Sequence, residues 1–239
     1  VEKAPSGELS LAIERPSLYN IFVNGHKISN DMVSGWWVDK SLETIKFNPS
    51  ILKIGKNEIL LETDYDEEHP GLEIIYLLGN FSVKLEGKEI SISESKNYLK
   101  IGDWTEQGLP FYSGCVSYIH PMKYKIKENQ RMFVRVSKYM GAGIRIFVDE
   151  REAGIIAWPP DQLDITDYIK GKDEFVLKIE VLGHRRNSHG PFHFPEKWPL
   201  WTGPTQFFFE GKEWFDGYQL VPSGLMEYPE IVIYEVMED

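Results

Sequence analysis

Short apolar runs recur along the whole chain, and Gly, Pro, Asn and Asp separate them. The runs richest in Val, Ile, Phe and Tyr cover residues 9–13, 19–23, 58–63, 72–77, 81–85, 132–136, 144–148, 175–181 and 231–236. Within 131–138, Met132, Val134 and Val136 share one face and the residues between them take the other, as in a half-buried antiparallel strand. No window of more than ten residues keeps a 3.6-residue period. This pattern predicts an all-β chain of many short strands.

Part of the pattern occurs twice. The first copy contains the strand Ile21–Val23, the turn Asn24-Gly25, the pair Trp36-Trp37, the run Ile45–Phe47, the motif Lys56–Glu58 and a longer strand to Thr63. The second copy contains Ile146–Val148, Asp149-Glu150, Trp158, Leu163–Thr166, Lys172–Glu174 and a strand to Val181. Asn-Gly favours a two-residue hairpin because both residues tolerate positive φ. The repeat predicts two jelly-roll-like β-sandwiches in tandem.

The division between the two copies follows a polar stretch. Residues 86–95 include the polar run Glu86-Gly87-Lys88-Glu89 and three serines, so we expect a first domain over 1–95 and a second over 96–239. The region 191–228 is rich in proline, glycine and aromatics and predicts a long loop before a closing strand. Because the first residue is Val, we expect the sequence to begin inside a longer gene product.

Composition narrows the classes of function. Apolar residues make up 42% and charged residues 26% of the 239 positions, as in soluble globular proteins, and the net charge is -11. An acidic surface argues against nucleic acid and anionic lipid as partners. The single cysteine, Cys115, excludes an intrachain disulfide, and we expect a buried, inert thiol. No membrane segment is visible, and the compartment stays open between extracellular and cytoplasmic.

Three segments resemble a known class of protein. Gly102–Gly114, with Asp103-Trp104-Thr105-Glu106, resembles the entry strand of galactose-binding-like jelly rolls in large bacterial glycoside hydrolases of the family 2 and α-L-rhamnosidase-like kind. Trp158–Ile169 resembles the same modules, and Leu72–Phe81 resembles the stretch that precedes them. In those enzymes the catalytic carboxylates lie on a separate barrel. This chain has no βα alternation typical of a barrel, so the resemblance implies an accessory region.

Loop aromatics next to polar residues are the first candidates for sugar contacts. Flat aromatic rings stack on the C–H faces of sugars, and neighbouring polar groups read the hydroxyls. Trp104 lies beside Asp103 and Glu106, and Tyr112 follows in the same loop. Trp158 precedes Pro159-Pro160, which cannot continue the interior of a sheet. Each of these rings could instead belong to a core, and Trp36 and Trp37 cannot both face inward on one strand.

A second polar group lies at 184–193. Arg185 and Arg186 match the geometry of carboxylates, so an acidic sugar is one interpretation, and a salt-bridged turn between strands is the favoured one. His189 joins this candidate site. His189 and His193 are four residues apart in a Gly-Pro loop without a cysteine, so a zinc site is not favoured.

No cofactor is predicted apart from a structural calcium ion. The acidic turn of Asp64, Asp66, Glu67 and Glu68 offers oxygen ligands, but it lacks EF-hand spacing, and a solvated turn is the favoured interpretation.

Three functions stay open on the sequence. The chain is a non-catalytic carbohydrate-binding or scaffolding region whose partners are a polysaccharide and a catalytic domain of the same polypeptide. Alternatively it is a self-sufficient glycosidase or lyase, with Asp103 or Glu106 paired with Asp161, Asp164 or Glu210. The third possibility is a purely structural module that binds another protein.

Overall fold

A computed structural model describes residues 1–30, 33–207 and 214–237. The chain divides into two compact units, Val1–Asn97 and Tyr98–Asp239. The strands of the first unit are β1 (Leu9–Glu14), β2 (Asn20–Val23), β3 (His26–Ile28), β4 (Val33–Trp37), β5 (Asp39–Phe47), β6 (Ile59–Glu62), β7 (Tyr76–Gly79), β8 (Phe81–Glu86) and β9 (Glu89–Glu94), with 3-10 turns at Pro16–Leu18 and Pro49–Ile51. Whether each unit is a domain that folds independently, as the predicted division at residue 95 implies, stays a prediction.

The second unit is also built of strands. They are β10 (Cys115–Lys123), β11 (Gln130–Arg135), β12 (Tyr139–Met140), β13 (Gly143–Val148), β14 (Arg151–Ile156), β15 (Gln162–Asp164), β16 (Glu174–Leu182), β17 (Gly224–Leu225) and β18 (Glu230–Glu235). One-turn helices α1 (Thr166–Ile169) and α2 (Arg186–His189) and 3-10 turns at Thr105–Gln107 and Pro204–Phe207 complete it. The predicted all-β sandwich class is confirmed.

The first unit packs two sheets around one core. The sheets have the orders β4-β5-β1-β7 and β3-β2-β6, and β8 and β9 form a separate hairpin. Leu9, Leu11 and Ile13 of β1 point inward at every second position and meet Ile21 and Val23 of β2. This period-two alternation is why one face of each sheet can be apolar and the other wet.

The second unit has a similar arrangement, in which β10 is added to the sheet that corresponds to β3-β2-β6 and the other sheet has three strands instead of four. Its sheets have the orders β10-β16-β13-β14 and β15-β11-β18, and β12 and β17 form a two-stranded ribbon. Met132, Val134 and Val136 are buried, as predicted, and Phe133 and Arg135 lie on the partly exposed face. Ile146 and Ile179 pair across β13 and β16 at the centre of the core.

The hydrogen-bond registers bear out the internal repeat. Asn24 and Gly25 have φ of 51° and 81°, and Asp149 and Glu150 have φ of 48° and 67°, so both hairpins turn through left-handed residues. The N–H of Asn24 donates to the Glu58 carbonyl at 2.9 Å, and the Asn24 Oδ1 accepts from the Glu58 N–H at 3.0 Å.

Asp149 makes the same two bonds with Val176, at 2.9 and 2.7 Å. In the structure, Glu58 therefore corresponds to Val176, whereas the sequence repeat aligns Glu58 with Glu174. The structural alignment differs from the sequence alignment by two residues at this motif.

Two local expectations were wrong. Residues 72–75 are not part of a strand, and β7 begins at Tyr76. Cys115 is exposed, because its side chain is on the outer face at the start of β10. The polar stretch 86–95, at the expected domain boundary, contains β9, in which Ile90 and Ile92 alternate with serines.

Candidate functional site

The sheet topology gathers four connections at one end of the second sandwich. Cys115 at the start of β10 pairs with Leu182 at the end of β16, and Leu182 pairs with Gly143 at the start of β13. Ile144 pairs with Ile156 at the end of β14. Four connections therefore leave from this end of the sandwich: 102–114, 136–142, 157–161 and 183–229. We call it the loop end, and its description leaves out residues 208–213. Every predicted site residue lies in one of these connections.

Trp104 forms the floor of the loop end rather than its surface. Its side chain is fully buried in the second core, with 0% of its area exposed. The backbone fixes it there, because its N–H donates to the Ser223 carbonyl at 2.8 Å. The indole has no face for a sugar, so the expectation that Trp104 stacks on a ligand does not fit this structure.

Asp103 is a structural residue of the same turn. Its Oδ1 accepts from the N–H and the Oγ of Thr105, at 2.9 and 2.8 Å, and from the N–H of Ser223 at 3.0 Å. Three donors on one oxygen join the entry loop to the segment before β17. Asp103 therefore orders the loop end, and half of its carboxylate is already engaged.

Sequence reasoning missed the polar residues that hold the connection 183–229 together. Asn187 is fully buried, and its amide donates to the Val221 carbonyl at 2.7 Å and accepts from the Val221 N–H at 3.0 Å. The Ser223 Oγ lies 3.1 Å from Nε2 of His184. The polar run at 184–189 was visible in the sequence, but its partners around 221–223 were not.

Close backbone approach explains two glycines here. The Gly183 N–H donates to the Gly114 carbonyl at 3.1 Å, and a Cβ on Gly183 would collide with that oxygen. Gly224 has a φ of 139°, and a Cβ there would collide with the Gly102 carbonyl. These contacts hold the connections 102–114 and 183–229 together at the backbone level.

Three predicted residues do present exposed surface. The Trp158 side chain is 77% exposed, and Glu106 is exposed on the 3-10 turn that follows Trp104. Tyr112 is 40% exposed, and its hydroxyl donates to the Cys115 carbonyl at 3.0 Å. Burial, with a smaller contribution from Cys115, raises the pKa of Tyr112, so this hydroxyl keeps its proton at neutral pH.

Arg185, Arg186 and His189 lie on or beside the one-turn helix α2. Neither guanidinium forms an ion pair with a carboxylate in the described parts of the chain, so the predicted salt-bridged turn is absent there. Arg185 and His189 are exposed, and the His189 ring lies 2.7 Å from the Ser188 hydroxyl.

Arg186 is partly buried. Its Nη2 donates to the Pro191 carbonyl at 3.5 Å, and its Nε and Nη1 have no acceptor among the described residues. Burial lowers the pKa of its guanidinium, because it disfavours the charged form.

An aromatic cluster includes residues that follow this helix directly in the chain. Phe111 contacts Phe192 and Tyr218, with ring centroids 5.4 Å apart in both pairs. His193 stacks on Trp214 at 4.2 Å, and its Nδ1 lies 2.9 Å from the Gly217 carbonyl. The His193 ring is thus committed to packing within the loop region.

Two of the carboxylates proposed for catalysis, Asp103 and Asp164, are engaged in structural bonds. Asp164 accepts from the N–H and hydroxyl of Thr166 and forms an ion pair with Arg131. Burial raises its pKa, but the Thr166 and Arg131 bonds outweigh burial and lower the pKa overall. Glu210 lies outside the described residues.

Metal ligation has no geometric support in the described parts of the chain. They hold no group of three or more His, Cys, Asp or Glu side chains that could hold a metal ion. The acidic turn around Asp66 is exposed, and its Oδ1 accepts from the Glu68 N–H at 2.9 Å. In the same residues, no helix is long and apolar enough to cross a membrane.

Comparison with known proteins gives structural similarity only. No family model and no curated protein matches the chain. It is similar to a rhamnosidase from Novosphingobium sp. PP1Y, with 13% identity and a TM-score of 0.42, covering 98% of this chain and 22% of that one.

Two glucuronidases are also similar. An FMN-binding β-glucuronidase from Facaelibacterium prausnitzii L2-6 has 14% identity, a TM-score of 0.34 and coverage of 65% and 21%. A β-D-glucuronidase from Dictyoglomus thermophilum has 15% identity, a TM-score of 0.35 and coverage of 66% and 27%. The chain spans about a fifth to a quarter of the length of each. Its function must therefore be inferred from its own residues.

Proposed function

We propose that this chain is a non-catalytic carbohydrate-binding region of a larger glycoside hydrolase and that its loop end contacts the sugar. The observation that carries the proposal is the placement of three exposed indoles, Trp158, Trp198 and Trp201, and several exposed polar groups on connections that leave the same end of one sandwich. Trp158 supplies an apolar face, and Glu106, Arg185 and His189 supply hydrogen-bonding groups. An apolar wall with a few placed polar groups is the usual composition of a sugar site.

The charge of the loop end indicates the kind of sugar. Arg185 is exposed and without a carboxylate partner among the described residues, although the whole chain has a net charge of -11. Unpaired arginine in an acidic protein favours a ligand that brings its own carboxylate. We therefore expect uronic acid-containing polysaccharides to bind better than neutral ones.

The test is isothermal titration calorimetry with neutral and uronic acid-containing polysaccharides. We expect Trp158→Ala to weaken binding about tenfold or more, which corresponds to about 1.4 kcal/mol. Trp36→Ala is the matched control, because it removes a tryptophan that is 56% exposed but lies in the first sandwich. Equal affinity in Trp158→Ala and wild type would place the sugar elsewhere.

The scaffolding role is separated from the binding role by the same measurement. If no polysaccharide binds to the wild type, sugar binding is excluded, and the role that remains is bracing a catalytic domain. The enzymatic alternative predicts turnover of aryl glycosides that disappears in Glu106→Gln. Because Asp103 and Asp164 are already engaged in structural bonds, we expect no turnover.

A further inference from the structure

Two aromatic rings lie in contact on the outer face of the first sandwich. On β1, Ser10, Ala12 and Glu14 alternate with the residues that face the core, so these three lie on the outer face of the sheet. Tyr76 of β7 pairs with Ala12 and lies on the same face, because paired residues share a face. Its ring centroid is 5.0 Å from that of Trp37, at an interplanar angle of 53°. We call Trp37 and Tyr76 the ring pair, and each side chain is 37% exposed.

The ring pair connects the two edges of its sheet. Trp37 belongs to β4 and Tyr76 to β7, which are the edge strands of the order β4-β5-β1-β7. Their contact therefore passes over β5 and β1, where the small residues Thr44 and Ala12 pair with each other. Ala12 has 0% of its area exposed although it lies on the outer face. The ring pair, lying over these small side chains, accounts for this burial.

The backbone of β4 is irregular at the residues that aim Trp37. Its register with β5 shifts between Val33 and Gly35 and again between Trp36 and Trp37. The next residue, Val38, has a φ of 62°, a left-handed conformation that is unfavourable for a β-branched side chain. Bulges redirect side chains in a strand, and strained residues are concentrated at functional sites. These irregularities indicate that the position of Trp37 is maintained at a cost in local stability.

Polar groups beside the ring pair can bond the hydroxyls of a sugar. The phenolic hydroxyl of Tyr76 can both donate and accept a hydrogen bond. Glu14 follows Ala12 by two residues on the outer face, and its Oε1 accepts from the Ser41 hydroxyl at 3.3 Å. A carboxylate has further lone pairs, so Glu14 can accept additional bonds from a ligand.

The charge on this face favours a neutral ligand. Glu14 is the charged residue of β1 on the outer face. Lys46 lies on the same face but forms an ion pair with Glu8 at 2.8 Å, and Lys40 lies beyond the last residue of β5 that pairs with β1. A carboxylate on the ligand would be repelled by Glu14, whereas the hydroxyls of a neutral sugar can donate to it.

We propose that the ring pair is a second carbohydrate-binding site, which binds a neutral polysaccharide on the outer face of the first sandwich. Exposed aromatic rings with a few polar groups beside them are the usual composition of a sugar site. Because the two rings meet at 53°, they fit a single twisted chain better than a flat array of chains. This site does not depend on the loop end, which belongs to the second sandwich.

The first test is oxidation of exposed tryptophans by N-bromosuccinimide in the full chain, with the extent at each residue measured by tandem mass spectrometry. The probes are soluble β-glucan and galactomannan, with polygalacturonate as the acidic comparison. We expect a neutral polysaccharide to lower the oxidation of Trp37 severalfold, because stacking covers the indole. Trp36 is the matched control in the same molecule, since it is exposed and adjacent but its ring contacts no other ring in the described parts of the chain.

The second test is calorimetry with the same polysaccharides in a chain that carries Trp158→Ala, so that the loop end does not contribute. Adding Trp37→Ala should weaken binding of the neutral polysaccharide by about tenfold or more, because it removes a stacking surface. Adding Trp36→Ala instead should leave the affinity unchanged. Glu14→Gln should reduce the preference for neutral over acidic polysaccharide, because it removes a like charge.

The outcomes distinguish this proposal from the one for the loop end. Protection of Trp158 alone, with Trp37 as reactive as in the free chain, would overturn the ring-pair site and leave the loop end supported. Protection of Trp37 alone would support the ring-pair site and count against the loop end. If none of the polysaccharides protects either tryptophan, both proposals fail, and the outer face is left to a protein partner.

Discussion

The two sandwiches share one frame and differ in what is added to it. Each sandwich contains a group of three strands with a positive-φ hairpin, β3-β2-β6 in the first and β14-β13-β16 in the second. This group packs against a second sheet, which contains β1 in the first sandwich and β11 in the second. In the described residues, the first core contains nine buried side chains and the second contains sixteen. The additional ones come from β10, from the longer β16, and from Trp104 and Leu225 at the loop end.

Part of this extra burial lies at the same end of the second sandwich as the candidate sugar contacts. Trp104 and Leu225 close the second core at the end from which the long connections leave. The first sandwich has no comparable closing loops in its described residues, and its hairpin β8–β9 lies beside an open groove. A well-filled core beneath the loop end gives the exposed side chains a rigid base.

The largest expected difference comes from the buried tryptophan. Trp104→Ala should destabilise the second sandwich by about 3–5 kcal/mol, because the indole is fully enclosed. Trp36→Ala should change the first sandwich by less than about 0.5 kcal/mol. Urea denaturation, with hydrogen exchange to assign each transition, checks both. Similar losses in the two variants would contradict the assignment of Trp104 to the core.

A second comparison concerns two asparagines that make the same bonds at different depths. Asn187 bonds both backbone groups of Val221 in a buried site, and Asn57 bonds both backbone groups of Lys53 near the surface. Asn187→Ala should cost about 1–3 kcal/mol, because it leaves buried groups unpaired, and Asn57→Ala less than about 1.5 kcal/mol. Equilibrium unfolding measures both values. The comparison fails if Asn57→Ala costs more.

The hairpin turns should behave alike in both sandwiches. Asn24→Gly and Asp149→Gly keep the positive φ and remove the side-chain oxygen that accepts from Glu58 or Val176. Asn24→Gly also removes the bonds from its Nδ2 to the Ile51 carbonyl and to Asn57, and Asp149→Gly removes the ion pair with Lys172. Each variant should cost about 1 kcal/mol. A loss confined to one sandwich, seen in the same unfolding experiment, would show that the repeat is not equivalent at this turn.

The smallest expected effect is a pH dependence of the free energy of unfolding, and only the turn at Asp149 contributes it. The bond from Lys172 and the bond from the Val176 N–H lower the pKa of Asp149 below its usual value. This stabilisation is present above the unfolded pKa of about 3.9 and is lost as the pH falls through the lower folded value. Its size should be below about 1 kcal/mol, because the side chain is 38% exposed. Unfolding between pH 7 and pH 3 should be less acid-sensitive in Asp149→Asn, and an unchanged profile would count against the bond with Lys172.

The frame could be predicted from the sequence because local rules determine it. Alternation at Met132, Val134 and Val136 and the turns at Asn24 and Asp149 depend on near neighbours alone. The burial of Trp104 could not be predicted, because it depends on Ser223, whose N–H bonds Asp103 from 120 residues away. The unpaired state of Arg185 likewise depends on where distant carboxylates lie, which no local pattern encodes.

The close backbone contacts at Gly183 and Gly224 divide the loop end into fixed and variable positions. Any side chain at these two glycines would push connections apart, so they should tolerate almost no substitution. Glu106, Trp158 and Arg185 project from the same connections into solvent and carry no such constraint. A library that keeps the glycines and randomises the projecting residues would therefore be a practical route to new ligand specificities on an unchanged scaffold.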